Sequence, residues 1–163
     1  MDIEKKLARA YRKAFTEVLH LHGRIYIGSG GRVGHRLLGV PNLIVETVGA
    51  KSGEPRSTVL TYASDGDDYV VVASAGGAPR NPAWYHNIRA AGEVGLRVGT
   101  RRMRARVTTL VPGDDGYARL FELADRANRG RYSQYQTMTR RPIPVCVLSP
   151  VGTRGQAEPS ART

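Results

Sequence analysis

The chain has 163 residues, a length that suggests one domain with a real hydrophobic core. Its formal net charge is +11 and its pI is about 10.4, which indicates an acidic partner: nucleic acid, an anionic membrane or an anionic small molecule. The single cysteine, Cys146, excludes a disulfide framework within one chain, fits a reducing cytoplasm and is interpreted as a buried small hydrophobe. No stretch approaches the roughly 20 apolar residues that cross a bilayer, and no signal peptide is expected.

Residues 1–22 are predicted to form an amphipathic helix, because apolar residues recur at helical spacing: Ile3, Leu7, Ala10, Ala14, Val18 and Leu21. Basic residues occupy much of the rest. Two placements stay open: a helix docked on its own domain, or a peripheral contact with an anionic membrane surface. The expected location is the cytoplasm, with the inner face of the cell membrane as the second possibility. Residues 23–39 are glycine-rich and are predicted to form loops with a short helix over residues 33–38.

Six strands and two long helices are predicted in the remainder. The strands cover residues 42–48, 57–63, 69–73, 94–98, 101–110 and 143–148, and the helices cover residues 82–91 and 114–128. Arg102, Arg104 and Arg106 alternate with apolar residues, which predicts a cationic strand face that is either solvated or an extension of an anion groove. Residues 151–163 are polar and are predicted to be a disordered tail. The order of elements indicates an α+β fold with a barrel-like sheet, not βαβ repetition.

The most unusual stretch is residues 74–87, where a buried strand, a glycine turn and a helix start follow one another. Asn81 is predicted to be the N-cap and Pro82 the first helical residue. Backbone N–H groups at such a turn and helix start suit an anion or a polar ring. The spacing matches neither a Rossmann fingerprint nor a P-loop, so a plain structural turn is the alternative.

Two further candidate sites lie elsewhere. The loop at residues 49–56 carries Lys51 and Arg56, which are either part of a polar hairpin or a phosphate or carboxylate site. Tyr132 and Tyr135 are three residues apart, so they share a face if this segment is helical, with core or interface packing as the alternative. No metal site is predicted.

These motifs resemble the deazaflavin-dependent nitroreductase family of actinobacteria. The resemblance rests on residues 49–56 and on five further motifs: Gly30-Gly31-Arg32-x-Gly34, Ser74-x-Gly76-Gly77-Ala78-Pro79, Asn81-Pro82-x-Trp84-Tyr85-x-Asn87, Tyr132-x-x-Tyr135-Gln136 and Pro142-Ile143-Pro144-Val145. It implies an FMN-binding-like split β-barrel over residues 23–150, which binds coenzyme F-420, a deazaflavin with a phosphate and an oligoglutamate tail. It also implies hydride transfer to a small-molecule acceptor, such as a quinone or a nitro compound. The oligomeric state stays open between a monomer and a homodimer, since such barrels often pair.

The resemblance also implies roles for individual residues. Lys51 and Arg56 would hold the anionic part of the cofactor. The turn would place backbone N–H groups beside the phosphate or the ring of the cofactor, through Ser74, Ala75, Gly76 and Gly77. The side chains of Trp84 and Asn87 would line the cofactor groove. Tyr132 and Tyr135 would line the acceptor pocket and take part in catalysis, with Thr61 as a further substrate-binding residue.

The sequence departs from the family pattern at several of these places. Ala50 stands where arginine is usual, Thr61 and Arg129 stand where tyrosines occur, and Ala75 replaces a frequent lysine. Because these pocket tyrosines are missing, the identity of the acceptor stays open, and so does the activation of nitroimidazole drugs. Arg80 or Arg102 is expected to replace the missing cation.

Three other functions are compatible with the sequence. One is a split barrel that uses FMN, although FMN has no need for a long cationic groove. Another is a cofactor carrier without catalysis. The third is a non-enzymatic basic protein that binds an anionic membrane or nucleic acid, and nucleic acid is disfavoured because no helix-turn-helix or zinc-finger spacing is present.

Overall fold

The computed structural model describes residues 18, 21–37 and 39–152. Its strands are β1 (Arg36–Leu37), β2 (Val40–Val48), β3 (Pro55–Asp65), β4 (Asp68–Val72), β5 (Glu93–Val98), β6 (Arg101–Leu110) and β7 (Val145–Val151). Its helices are α1 (residues 21–28), α2 (Ala83–Ala91), α3 (Tyr117–Ala127) and α4 (Arg131–Thr137), with a short 3-10 turn at Ala75–Gly77. The six predicted strands and two predicted long helices are therefore present.

Strands β2 to β7 form a closed antiparallel barrel. The order is β2-β3-β4-β7-β6-β5, and β5 pairs back onto β2, with Ile44 opposite Arg97. The short strand β1 adds to β2 outside this ring. Closure leaves no long unpaired edge, so the barrel is a rigid support for the loops around it. The predicted α+β barrel-like sheet is confirmed.

The second half of strand β4, residues 70–72, is buried on both faces, which explains its run of three valines. Val71 and the following Ala73 point into the barrel, where they pack with residues such as Leu43. Val70 and Val72 point outward and are covered by α3 and α4. After β4 the chain enters the short turn at Ala75–Gly77, which contacts α4.

The prediction for residues 23–39 was correct only in part: residues 29–35 form turns and loops, as expected. Residues 21–28 are helical instead of forming loops, and residues 33–37 are not helical but contain β1. The buried Tyr26 anchors α1, because its hydroxyl donates to the Asn42 carbonyl oxygen at 3.0 Å and accepts from the Gly99 N–H at 3.1 Å. Gly34 has φ +98°, which breaks any helix there.

The predictions for both ends of the chain fall largely outside the described residues. Residues 1–17, 19 and 20, most of the predicted N-terminal helix, lie outside them, as do residues 153–163 of the predicted tail. Within the described part of the chain, no helix has the length and apolar character needed to span a membrane.

Candidate functional site

A groove with a volume of about 740 Å³ lies between the β2–β3 loop and the start of α2. Both walls come from the stretches that the motif analysis selected. The lining residues are Gly49, Ala50, Lys51, Ser52 and Arg56 on one side and Arg80, Asn81, Ala83, His86 and Asn87 on the other. The groove thus joins two motifs that are about thirty residues apart in sequence.

The charges in this groove are all positive. Lys51, Arg56 and Arg80 are exposed, and within the residues that the structure describes no Asp or Glu lines the groove or pairs with any of the three. A point charge and two guanidinium forks suit a ligand with phosphate or carboxylate groups. Of the two arginines expected to replace the missing cation, Arg80 lines the groove, whereas Arg102 lies on β6 opposite Arg97 and does not line it.

The β2–β3 loop is held in place from both sides. Asn87 of α2 accepts a hydrogen bond at Oδ1 from the Ala50 N–H at 3.0 Å. Within the loop, the Gly49 N–H donates to the Glu54 carbonyl oxygen and the Gly53 N–H to the Gly49 carbonyl oxygen, both at 2.8 Å. Asn87 therefore lines the groove and also fixes the loop that carries Lys51.

The glycine turn has a left-handed backbone over three successive residues. The φ angles are +48° at Ala75, +62° at Gly76 and +79° at Gly77. Ala75 is not a glycine, so this conformation is strained and must be supported by its surroundings. The Ser74 and Gly77 N–H groups bond to the Val72 and Ser74 carbonyl oxygens, so these two amides are engaged within the turn, while Ala75 and Gly76 are exposed.

Gly77 presses against α4. A Cβ atom at this position would lie 2.8 Å from the Cβ of Met138 and 2.9 Å from the carbonyl oxygen of Tyr135. Only a residue without a side chain permits this approach. The predicted cofactor turn and the predicted acceptor helix are consequently in direct contact.

Arg141 supports the turn, and sequence reasoning missed it. Its Nη2 donates to the Ser74 and Ala73 carbonyl oxygens at 2.7 and 3.1 Å, and its Nε donates to the Ala78 carbonyl oxygen at 2.8 Å. Burial lowers the pKa of Arg141 below its ordinary value, but a guanidinium stays protonated in proteins. Its partners are more than sixty residues away, so no local pattern pointed to it.

Asn81 is not the N-cap that the sequence suggested. Pro82 occupies the cap position, and it makes no side-chain capping hydrogen bond. The Asn81 Oδ1 instead accepts a 2.7 Å hydrogen bond from Nη1 of Arg141. A charged donor makes a stronger hydrogen bond than a backbone amide, which explains the exchange of roles.

The predicted acceptor residues are together on and beside α4. The segment is helical, and the rings of Tyr132 and Tyr135 meet edge to face, with their centroids 6.4 Å apart. Tyr132 is buried, and its burial raises the pKa far above the ordinary value, partly offset by the nearby Thr61 hydroxyl. The Tyr132 N–H donates to Oδ1 of Asp125 at 2.8 Å, which fixes the start of α4.

Trp84 lies outside the groove lining, as do seven other predicted site residues: Thr61, Ser74, Ala75, Gly76, Gly77, Tyr132 and Tyr135. It is half-buried, packs against the barrel core and meets Tyr85 edge to face with a centroid distance of 6.4 Å. It does not line the groove, whereas Lys51, Arg56 and Asn87 do. His86, which sequence reasoning did not select, does line the groove, because it lies on the exposed face of α2.

Comparisons with known proteins agree with this architecture. The sequence profile of the F-420H(2)-dependent quinone reductase family matches residues 18–150. An F-420H(2)-dependent quinone reductase of Mycobacterium tuberculosis is 47% identical over 150 residues, which cover 91% of this chain and 99% of the relative.

Two solved structures are also similar. One, described as a domain-swapped dimer, is 30% identical with a TM-score of 0.62 and matches over 82% of this chain and 98% of its own. An F-420-H2 dependent reductase is 33% identical with a TM-score of 0.58 and matches over 67% of this chain and 94% of its own. The predicted split barrel, and the predicted family with its oxidoreductase class and F-420 cofactor, are confirmed by these matches. The chain belongs to the F-420H(2)-dependent quinone reductase family.

Proposed function

We propose that this chain transfers a hydride from reduced coenzyme F-420 to a quinone-like or other electron-poor acceptor. The observation that carries the proposal is the cationic groove, whose lining contains Lys51, Arg56 and Arg80 and, among the described residues, no carboxylate. A phosphate and an oligoglutamate tail match this charge, whereas FMN offers a single phosphate. The groove leads to α2 and, through Asn81, to the glycine turn.

The residues of the chain divide into two groups by what they do. Lys51, Arg56 and Arg80 bind the anionic part of the cofactor, and the exposed Ala75 and Gly76 provide a backbone surface for its ring. When bound, the reduced deazaflavin supplies the hydride. The contribution of the protein is to hold donor and acceptor in contact and in the correct orientation, which lowers the entropic part of the barrier.

The tyrosines of α4 lie on the acceptor side. Hydride transfer leaves negative charge on an acceptor oxygen, and a positioned O–H group stabilises it or donates the proton. Burial keeps the Tyr132 hydroxyl protonated, since it raises the pKa of that group. Tyr135 is half-buried, and its carbonyl oxygen lies against Gly77, so its backbone adjoins the turn proposed to hold the ring.

The same proposal includes a peripheral contact with the membrane, where quinones with lipid tails reside. Val18, Leu21 and Ile25 are 54%, 58% and 47% exposed, and their spacing places them on one side of a helix. Sedimentation with anionic liposomes tests this contact, and a Leu21→Glu/Ile25→Glu variant that binds liposomes equally well would contradict it. The domain-swapped neighbour motivates the further proposal of a homodimer, which sedimentation velocity tests.

The proposed function is tested by titrating the protein with F-420, FMN and FAD at two salt concentrations, and then by following the oxidation of reduced F-420 by a soluble benzoquinone. We expect binding of F-420 alone, weakened by salt, and quinone-dependent oxidation. Binding of FMN in preference to F-420 would mean that the groove is an FMN site. No binding of any of the three would reject the cofactor proposal.

A further inference from the structure

We infer that Arg141 is a positioning residue that holds the glycine turn, the cationic groove and α4 in one arrangement. The inference rests on the proposed function for its kinetic consequence, but its structural part concerns contacts within the chain. Arg141 precedes β7 and is half-buried. It lies outside the motifs that the sequence analysis identified.

The side chain of Arg141 connects two parts of the proposed cofactor site. Three carbonyl oxygens of the turn, on Ala73, Ser74 and Ala78, accept hydrogen bonds from its Nε and Nη2. The Asn81 side chain, which lines the cationic groove, accepts from its Nη1. One planar group with a fixed fork of donors therefore determines the distance between turn and groove.

The backbone of Arg141 is held by α4. Gln136, next to Tyr135, donates from Nε2 to the carbonyl oxygens of Arg141 and Thr139 at 2.9 and 3.1 Å. Its Oε1 accepts from the Ile143 N–H at 3.1 Å. A continuous set of hydrogen bonds thus runs from the acceptor helix through Gln136 and Arg141 to the groove.

The turn needs this support. Ala75 has φ +48°, a conformation that persists in a residue with a side chain only when its surroundings impose it. Without the guanidinium, three carbonyl oxygens lose a charged donor and the left-handed turn loses its external constraint. We expect the turn to relax, and the surface offered to the cofactor ring by Ala75 and Gly76 to change with it.

The test compares Arg141→Met, which keeps a similar length without donors, with Arg140→Met. Arg140 is exposed, and its side chain makes no hydrogen bond or ion pair with another described residue. This control therefore removes the same charge at the neighbouring position. Arg141→Lys keeps the charge but reaches fewer acceptors, and Gln136→Leu removes the link to α4. Three quantities are measured: amide hydrogen exchange without cofactor, the dissociation constant of F-420, and kcat and KM for a soluble benzoquinone.

For Arg141→Met we expect faster exchange confined to residues 73–81, F-420 binding weakened by about tenfold, and a lower kcat as well as a changed KM. Arg141→Lys should lie between Arg141→Met and the unaltered protein, and Arg140→Met should match the unaltered protein. If Arg141→Met does not fold, Gln136→Leu is expected to give the same local pattern at smaller amplitude.

The outcomes separate this inference from the proposed function. If the unaltered protein does not bind F-420, the proposed function fails, while local exchange at residues 73–81 still decides whether Arg141 positions the turn. Uniformly faster exchange over the whole barrel would show a general structural role and overturn the inference. Equal exchange and affinity in Arg141→Met and Arg140→Met would also overturn it.

Discussion

The cationic groove gives a prediction that compares two arginines. Arg80 and Arg102 are both exposed, and replacing either by Met lowers the net charge by one. Only Arg80 lines the groove. Long-range attraction of an anionic cofactor is therefore weakened equally in both variants, and any difference between them reports direct contact.

The magnitude follows from the position of Arg80 at the surface of an open groove. A pair of opposite charges at about 4 Å gains roughly 1 kcal/mol in water and about 4 kcal/mol at the effective dielectric constant of a protein surface. An exposed pair lies near the lower end, so we expect Arg80→Met to cost about 1.4 kcal/mol, or about tenfold in the dissociation constant. Arg102→Met should change the dissociation constant by less than about twofold, because Arg102 is exposed and outside the groove lining, and salt screens exposed charges that make no direct contact.

The assay is a fluorescence titration with F-420 at low and high salt. The unaltered protein and Arg102→Met should lose similar affinity as salt is raised, and Arg80→Met should lose less, since one direct ion pair is already absent. Equal weakening by the two substitutions would refute the reasoning, because it would mean that the charge acts at long range and that the groove is not the binding site.

Three further predictions concern packing, the acceptor and the thiol. Gly77→Ala places a Cβ 2.8 Å from Met138 at a φ of +79° and should lower the free energy of unfolding by about 2–3 kcal/mol. The control Gly92→Ala has φ +67° and no atom within 4 Å of the added Cβ, so it should cost only the backbone strain of a left-handed alanine. Equal losses of Tm in the two variants would contradict the contact between Gly77 and Met138. Tyr135→Phe should change acceptor kinetics and leave the F-420 dissociation constant within about twofold, and the reverse pattern in steady-state and binding data would place Tyr135 on the cofactor. Burial raises the pKa of the Cys146 thiol to about 12, so the thiolate forms in the folded protein only as the pH rises toward that value; iodoacetamide should label Cys146 at pH 8 only after unfolding, and rapid labelling of the native protein would contradict its burial.

The local pattern of the chain predicted those features that depend on neighbouring residues. Alternation in β6, with Arg102 and Arg104 exposed and Ala105 buried, was correct because the direction of a strand side chain depends on its position alone. The glycine turn was correct because Gly76 and Gly77 permit a backbone that other residues resist. The combination of these motifs also identified the family.

The tertiary structure decided what depends on contacts between distant segments. Tyr26 stabilises a helix in a glycine-rich stretch by hydrogen-bonding to strand β2 and to the β5–β6 turn. Local helix propensity does not predict such long-range hydrogen bonds. Arg80, and not Arg102, lies in the groove because barrel closure brings the β2–β3 loop against α2. The Asn81 side-chain oxygen accepts a hydrogen bond from Arg141 and does not cap α2, because the fold brings this charged donor next to a residue sixty positions earlier in the sequence. Periodicity and turn chemistry are properties of a short segment, whereas hydrogen-bond partners and shared grooves are set by how the barrel closes.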